Sequence, residues 1–270
     1  MRRVGLGIAC ASALALLLGG APVWAQQGSP TDAKKSEEQA MAVVKRMAEF
    51  ISRAQRFSVT VDIGFDVVQE FGQKIEFGET RKIVLRRPDH LRIDETRRNG
   101  AKGGIVFDGK ELTVFSAKDN VYATDARVSG PGTVDETIEH LINDLDMRLP
   151  LAEWLDSLLP KRLEEHMREA AYVEQSQIAG VPCDHVALRG DEVDLQVWVE
   201  QGHRPLPRRL VATYTREDGR PQFRAQFSDW NLAPEAPDSL FTFTPPAGAA
   251  KITFGPKMIQ PVGIGAKGGQ

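Results

Sequence analysis

Phe57-Ser58-Val59-Thr60-Val61-Asp62-Ile63-Gly64-Phe65-Asp66-Val67 alternates apolar residues with polar or small ones without a break. A period of two places Phe57, Val59, Val61, Ile63 and Phe65 on one face of a strand and Ser58, Thr60, Asp62 and Asp66 on the other. One face is therefore buried and one is wet. Strands of that kind belong to antiparallel sheets with a single covered face, whereas parallel strands read as continuous apolar runs.

Upstream, Ser36-Glu37-Glu38-Gln39 has the spacing of a capping box, and Met41, Val44, Ala48 and Ile51 recur at helical intervals. A helix is expected to open the domain at that serine. Downstream, Lys74 to Arg86, Leu91 to Arg97, Gly104 to Phe107, Glu111 to Ser116 and Val121 to Thr124 read as further strands, separated by Arg87-Pro88-Asp89, Asp108-Gly109 and Lys118-Asp119-Asn120. Thr133-Val134-Asp135-Glu136 is a second capping box, followed by the stripe Ile138, Leu141, Ile142 and Leu145. Leu151 to Leu159, with Trp154, Leu155 and Leu158, and Lys161 to Ala170 are expected to be helical. Alternation returns in Tyr172 to Ile178, Asp184 to Arg189, Val193 to Glu200, Arg208 to Thr215 and Gln222 to Trp230. Helix, strands, helices, strands is an α+β order, mostly antiparallel β, with helices covering the apolar face of one sheet.

The N-terminus carries Arg2 and Arg3, an apolar run from Val4 to Leu18, and Pro22-Val23-Trp24-Ala25 in small-residue cleavage spacing. These are the parts of a signal peptide. The run is shorter than the roughly 20 residues of a spanning helix. The expected division is a signal peptide over 1–25, a polar linker over 26–36, one domain over 37–246 and a Pro- and Gly-rich tail over 247–270. Cys10 lies inside the apolar run without the flanking residues of a lipidation site. Cleavage leaves Cys183 as the single cysteine, so stability rests on a core. The net charge of −3 excludes a nucleic-acid binder built on basic charge.

Leu85-Arg86-Arg87-Pro88-Asp89-His90-Leu91-Arg92, Phe107-Asp108-Gly109-Lys110, Gly180-Val181-Pro182-Cys183-Asp184-His185 and Ser228-Asp229-Trp230-Asn231-Leu232 resemble a family of predicted periplasmic proteins of unknown function. The order strand, Arg-Pro, strand, Asp-Gly is more distantly similar to the lipoprotein carriers LolA and LolB and the stress regulator RseB. That resemblance implies a curved, unclosed β-barrel whose helices plug an apolar concave side, where the carriers hold acyl chains. On it, Phe57, Val59, Val61, Ile63 and Phe65 would line the concave face, with Ile138, Leu141, Trp154, Leu155 and Leu158 laid over it. The expected ligand is a lipid, acyl chain or lipoprotein segment. An unfilled groove under the helices favours carriage, and a filled one favours a scaffold that binds another envelope protein.

Catalytic signals are sparse, and no enzyme is expected. Cys183 and His185 share a strand face, but about 6.6 Å of rise separates them, too far for a thiol to imidazole hydrogen bond. No second His/Cys pair accompanies them to complete a zinc site. A buried cysteine and a strand histidine account for both, and a Cys/His hydrolase or metal protein ranks last. Arg189-Gly190-Asp191 is ordinary turn chemistry, and Asp191, Glu192 and Asp194 lack the ligand spacing of a calcium loop. There is no Gly-x-Ser-x-Gly elbow and no phosphate or dinucleotide glycine loop. No cofactor or metal is expected. Trp154, Trp198 and Trp230 read as core-finishing residues.

Overall fold

The alternating strand occupies Arg56–Val68 in a computed structural model that describes residues 30–125, 132–144 and 151–253. In chain order the elements are α1 (Pro30–Arg53), β1 (Arg56–Val68), β2 (Lys74–Arg86), β3 (His90–Arg97), β4 (Lys102–Phe107), β5 (Leu112–Ser116) and β6 (Val121–Asp125). Then come α2 (Val134–Asn143), a 3-10 turn (Ala152–Leu155), α3 (Leu159–His166), β7 (Met167–Ile178), β8 (Val181–Gly190), β9 (Val193–Glu200), β10 (Pro207–Tyr214) and β11 (Gln222–Asn231). A 3-10 turn at Asp238–Phe241 and a two-residue β12 (Ala250–Lys251) follow.

All twelve strands form one sheet in the order β12-β6-β5-β4-β3-β2-β1-β11-β10-β9-β8-β7. Every ladder is antiparallel except β12 on β6. β1 stands in the middle, paired with β2 from Arg56↔Arg86 to Val68↔Lys74 and with β11 from Ser58↔Asn231 to Phe65↔Phe223. The terminal strands β12 and β7 do not meet, so the barrel is unclosed. At about 4.8 Å per strand the sheet would be roughly 50 Å across if flat. Yet Phe107 of β4, Phe57 of β1 and Leu188 of β8 belong to one buried cluster with the helices. The three helices cover both halves only because the sheet wraps around them.

The local chemistry follows the sequence closely in places. Thr133 caps α2 as the capping box requires: its hydroxyl accepts from Glu136 N, and the Glu136 carboxylate accepts from Thr133 N. Asp108 accepts from the amides of Lys110 and Glu111, with Gly109 at φ 88° between β4 and β5.

Elsewhere the structure corrects the expectations. α1 begins at Pro30, within the stretch expected as linker. Proline suits the first helical turn, where its missing N–H is not needed, and Ala33-Lys34-Lys35 continue as good helix formers. Ser36 is therefore not a cap. Its hydroxyl accepts from Tyr172 N and donates to Tyr172 O, stitching α1 to the edge strand β7. Of the helix expected over Leu151 to Leu159 only the 3-10 turn and the first residue of α3 are helical, and α3 stops at His166, so β7 starts five residues before the expected Tyr172. Two residues of the expected tail form β12. Residues 1–25, expected as signal peptide, and 254–270 of the tail lie outside the described residues.

Candidate ligand-binding site

The inner face of the sheet is set by the phase of β1. Phe57, Val61 and Ile63 are at most 1% exposed, and Val59 and Phe65 are also buried. Directly opposite them on β2 stand Leu85, Ile83, Arg81, Glu79 and Phe77, and on β11 Val61, Ile63 and Phe65 face Phe227, Ala225 and Phe223. Fully burying one such side chain contributes about 1.5–3 kcal/mol. The wall continues through Leu91 and Ile93, Ile105 and Phe107, and Leu112 and Val114.

This wall is not wholly apolar. Glu79 and Arg81 of β2 face Arg97 and Glu95 of β3, so four charges form a checkerboard on the inner face. Arg81 Nε donates to Glu79 Oε1 at 2.6 Å and Arg97 Nε to Glu95 Oε1 at 2.8 Å. Burial pushes the Glu79 carboxyl above its ordinary value, with the Arg81 guanidinium pulling the other way and Glu95 adding to the rise. Sequence reasoning missed this seam. Its signal was present: Glu79 and Arg81 sit in phase with Ile75, Phe77, Ile83 and Leu85.

Over the apolar part lies a cover made of α2, the 3-10 turn at Ala152–Leu155 and α3, inserted between the two groups of strands. Ile138, Leu141 and Leu155 join the same buried cluster as Phe57, Val59, Val61, Ile63 and Phe65, and Trp154 packs against it half-buried. Leu158, expected beside them, is instead 46% exposed, because it precedes α3 at a point where Leu159 takes the buried position. Among the described residues the inner wall is filled by these side chains. An open cleft at the end of α1 is lined in part by Ala54 and Leu232, which pack against the same core.

Polar contacts fasten the cover at its margins. Arg87, at the end of the β2 ladder, donates to Leu155 O at 2.6 Å and to Asp135 Oδ1 at 3.2 Å. Asp135 also accepts from the amide and hydroxyl of Ser157. Val134 N donates to Pro88 O, and the fully buried Asp156 accepts from Leu158 N and Arg162 Nε. On the far side His140 lies 3.1 Å from Asp125 of β6 and 2.6 Å from Asp144. Burial opposes the His140 charge, but these two carboxylates outweigh it and hold the imidazole above its ordinary pKa.

Cys183 and His185 point to the outer side of β8. The Cys183 thiol is fully buried and donates to Val181 O, and burial pushes it up in pKa. His185 stacks on Trp198 with ring centres 4.0 Å apart, its Nε2 lies 3.2 Å from Gln196 Oε1, and burial lowers its pKa. Their hydrogen bonds thus run to separate partners. Asp191 pairs with Arg168 and Glu192 with Arg216, and no group of three potential metal ligands occurs among the described residues. No helix among them is long and apolar enough to cross a membrane.

A family model described as a predicted periplasmic protein (DUF2092) matches residues 40–255. No curated protein matches. Among solved structures, a LolA superfamily protein from Nitrosomonas europaea is 12% identical with a TM-score of 0.37, covering 76% of this chain and 97% of its own. LprF from Mycobacterium bovis is 10% identical with a TM-score of 0.47, covering 79% and 99%. The MucA/MucB complex of Pseudomonas aeruginosa matches at 16% identity and a TM-score of 0.40, covering 76% and 61%. At these values the likenesses carry no argument about what this chain binds.

Proposed function

The chain belongs to the DUF2092 family of predicted periplasmic proteins, and from that premise we propose a non-catalytic periplasmic binding protein that takes a lipid, an acyl chain or a lipoprotein segment onto the inner face of its sheet. Residues 1–25 act in this reading as a signal peptide removed after Ala25, and the sheet with its helices works as one domain.

One observation carries it. The apolar inner wall is closed by helices that take no part in the sheet, α1 over β7 to β9 and the inserted cover beside it, so parting the inserted cover would open its share of the wall without breaking a sheet ladder. Ile138, Leu141 and Leu155 occupy the places that acyl methylenes would take, and each buried methylene contributes about 0.8 kcal/mol. The fastenings at Arg87 and Asp135 are side-chain contacts at the margin, each worth on the order of 1–3 kcal/mol. Displacing the cover also takes Ile138, Leu141 and Leu155 off the wall, about 1.5–3 kcal/mol each, and it is this loss that the acyl methylenes have to replace. The charge checkerboard of Glu79, Arg81, Glu95 and Arg97 beside the wall suits an amphiphile with a polar head.

The filled wall itself favours a second reading, in which the protein is a regulatory or scaffold module for another envelope protein and keeps its interior closed. Native mass spectrometry of protein purified from periplasm without detergent, followed by solvent extraction, separates the two. A co-purifying lipid of defined mass is expected. A clean ligand-free mass across several growth conditions overturns the cargo reading, and a reproducible partner from envelope extracts then supports the scaffold.

A further inference from the structure

We infer that a second, external site takes the anionic headgroup of a single lipid, in the cleft between the C-terminal end of α1 and the turn joining β9 to β10. The cleft is an open concavity of about 780 Å³, and Ala54 and Leu232 in its lining pack against the edge of the inner core. That volume falls in the range of about 300–1,000 Å³ usual for discrete ligands.

Its floor is apolar and its rim is cationic. Phe50, Pro205 and Leu232 supply the floor, and Arg46, Arg53 and Arg56 stand around it. Gly202, His203 and Pro205 of the turn between β9 and β10 form one wall, and Leu232 ends the Ser-Asp-Trp-Asn-Leu stretch. Trp230 anchors that stretch by donating from Nε1 to Pro207 O and packing on Phe57.

The charges do not cancel. Glu49 is the one carboxylate lining the cleft, and it pairs with Arg53 at 3.3 Å. Arg46 reaches Asp184 only at 3.9 Å, and Arg56 makes no ion pair among the described residues. The partial negative charge at the end of α1 offsets about half a unit, which Arg53 in the last turn already meets. An excess of positive charge thus remains in a chain whose net charge is −3. Guanidinium forks match the paired oxygens of a phosphate, and Phe50 and Leu232 would lie under the glycerol and first methylenes.

The sheet argues against an extended peptide as the occupant. The strands beside the cleft, β1, β9 and β10, each have a neighbour on both sides, so no free strand edge offers main-chain hydrogen bonds to an extended peptide.

The test uses mature protein and dihexanoyl phosphatidylglycerol below its micelle concentration, titrated by calorimetry beside dihexanoyl phosphatidylcholine, glycerol phosphate and hexaglutamate. Phosphatidylglycerol is expected to bind at least about tenfold tighter than each of the other three. In the R46A/R53A/R56A variant that affinity should fall about tenfold or more, with far-UV circular dichroism unchanged. Arg56→Gln, expected to lose part of it, serves if the triple variant misfolds. Equal binding of the two lipids, or wild-type affinity in the variants, overturns the site. Glycerol phosphate binding as well as the lipid moves the assignment to a soluble phosphate and overturns the lipid claim. Hexaglutamate displacing the lipid overturns it in favour of an acidic peptide.

Discussion

At the scale of single residues, burial decides which chemical groups are available. Cys183 is fully enclosed and its thiol is held protonated, so it should resist reagents that attack the thiolate. Protein lacking residues 1–25 is expected to show no reaction with a disulfide reagent over minutes when native and one thiol per chain in urea; rapid native labelling would contradict the buried placement. His140 titrates in the opposite sense. Its folded pKa is raised above 6.5, so its contribution is complete below the unfolded value and fades as pH rises through the folded one. Wild type should therefore lose about 1 kcal/mol more than His140→Gln in urea stability between pH 6 and pH 9. An identical pH dependence in both proteins would remove Asp125 and Asp144 as the cause. The seam at Glu79 and Arg81 shows where residue-level reading failed. Alternation announces which face a residue takes, and these two are in the inner phase, but charge argues for solvent. Pairing with β3 resolves the conflict, and pairing is not written in β2 alone.

At the scale of elements, the strands were more legible than the helices. β2 and β9 have the expected bounds because alternation persists to their last residues. α1 was legible in its stripe of Met41, Val44, Ala48 and Ile51 but not in its start, since the capping-box spacing at Ser36 was satisfied by a contact with β7, far away in sequence. The region from Leu151 to Ala170 misled for a related reason: its apolar spacing fits a helix, while tertiary pairing with β8 draws Met167 onward into a strand. The same region supplies a prediction about the cover. Arg87→Ala removes two contacts from a side chain that is 9% exposed. It should cost about 2–4 kcal/mol and speed amide exchange in α2 and the 3-10 turn more than in β1. Uniform acceleration across the sheet would mean that Arg87 holds the whole domain and not the cover. The edges are managed locally. β7 carries two register irregularities against β8, and β12 is only two residues long, both of which blunt edge-to-edge association.

At the scale of the molecule, the first alternating stretch was enough to foresee an antiparallel sheet with one covered face, and the later strands to foresee its size. What it could not supply was the neighbour of β1 on its second side. That neighbour is β11, and it joins the strands before the cover to those after it. The domain should accordingly unfold in one step. Far-UV circular dichroism and tryptophan fluorescence, which reads Trp154 in the cover and Trp198 and Trp230 beyond it, are expected to share one urea midpoint; two separated midpoints would show that the groups of strands melt independently. The pairing of β1 with β11 also sets an order in time. β1 is among the first segments to leave the ribosome, yet the ladder from Ser58 to Phe65 waits for residues 223–231 near the other end. Until they emerge, the middle of the finished sheet is an open margin. A nascent chain must therefore stay unfinished through most of its synthesis, which is the condition in which a protein can still be threaded across a membrane.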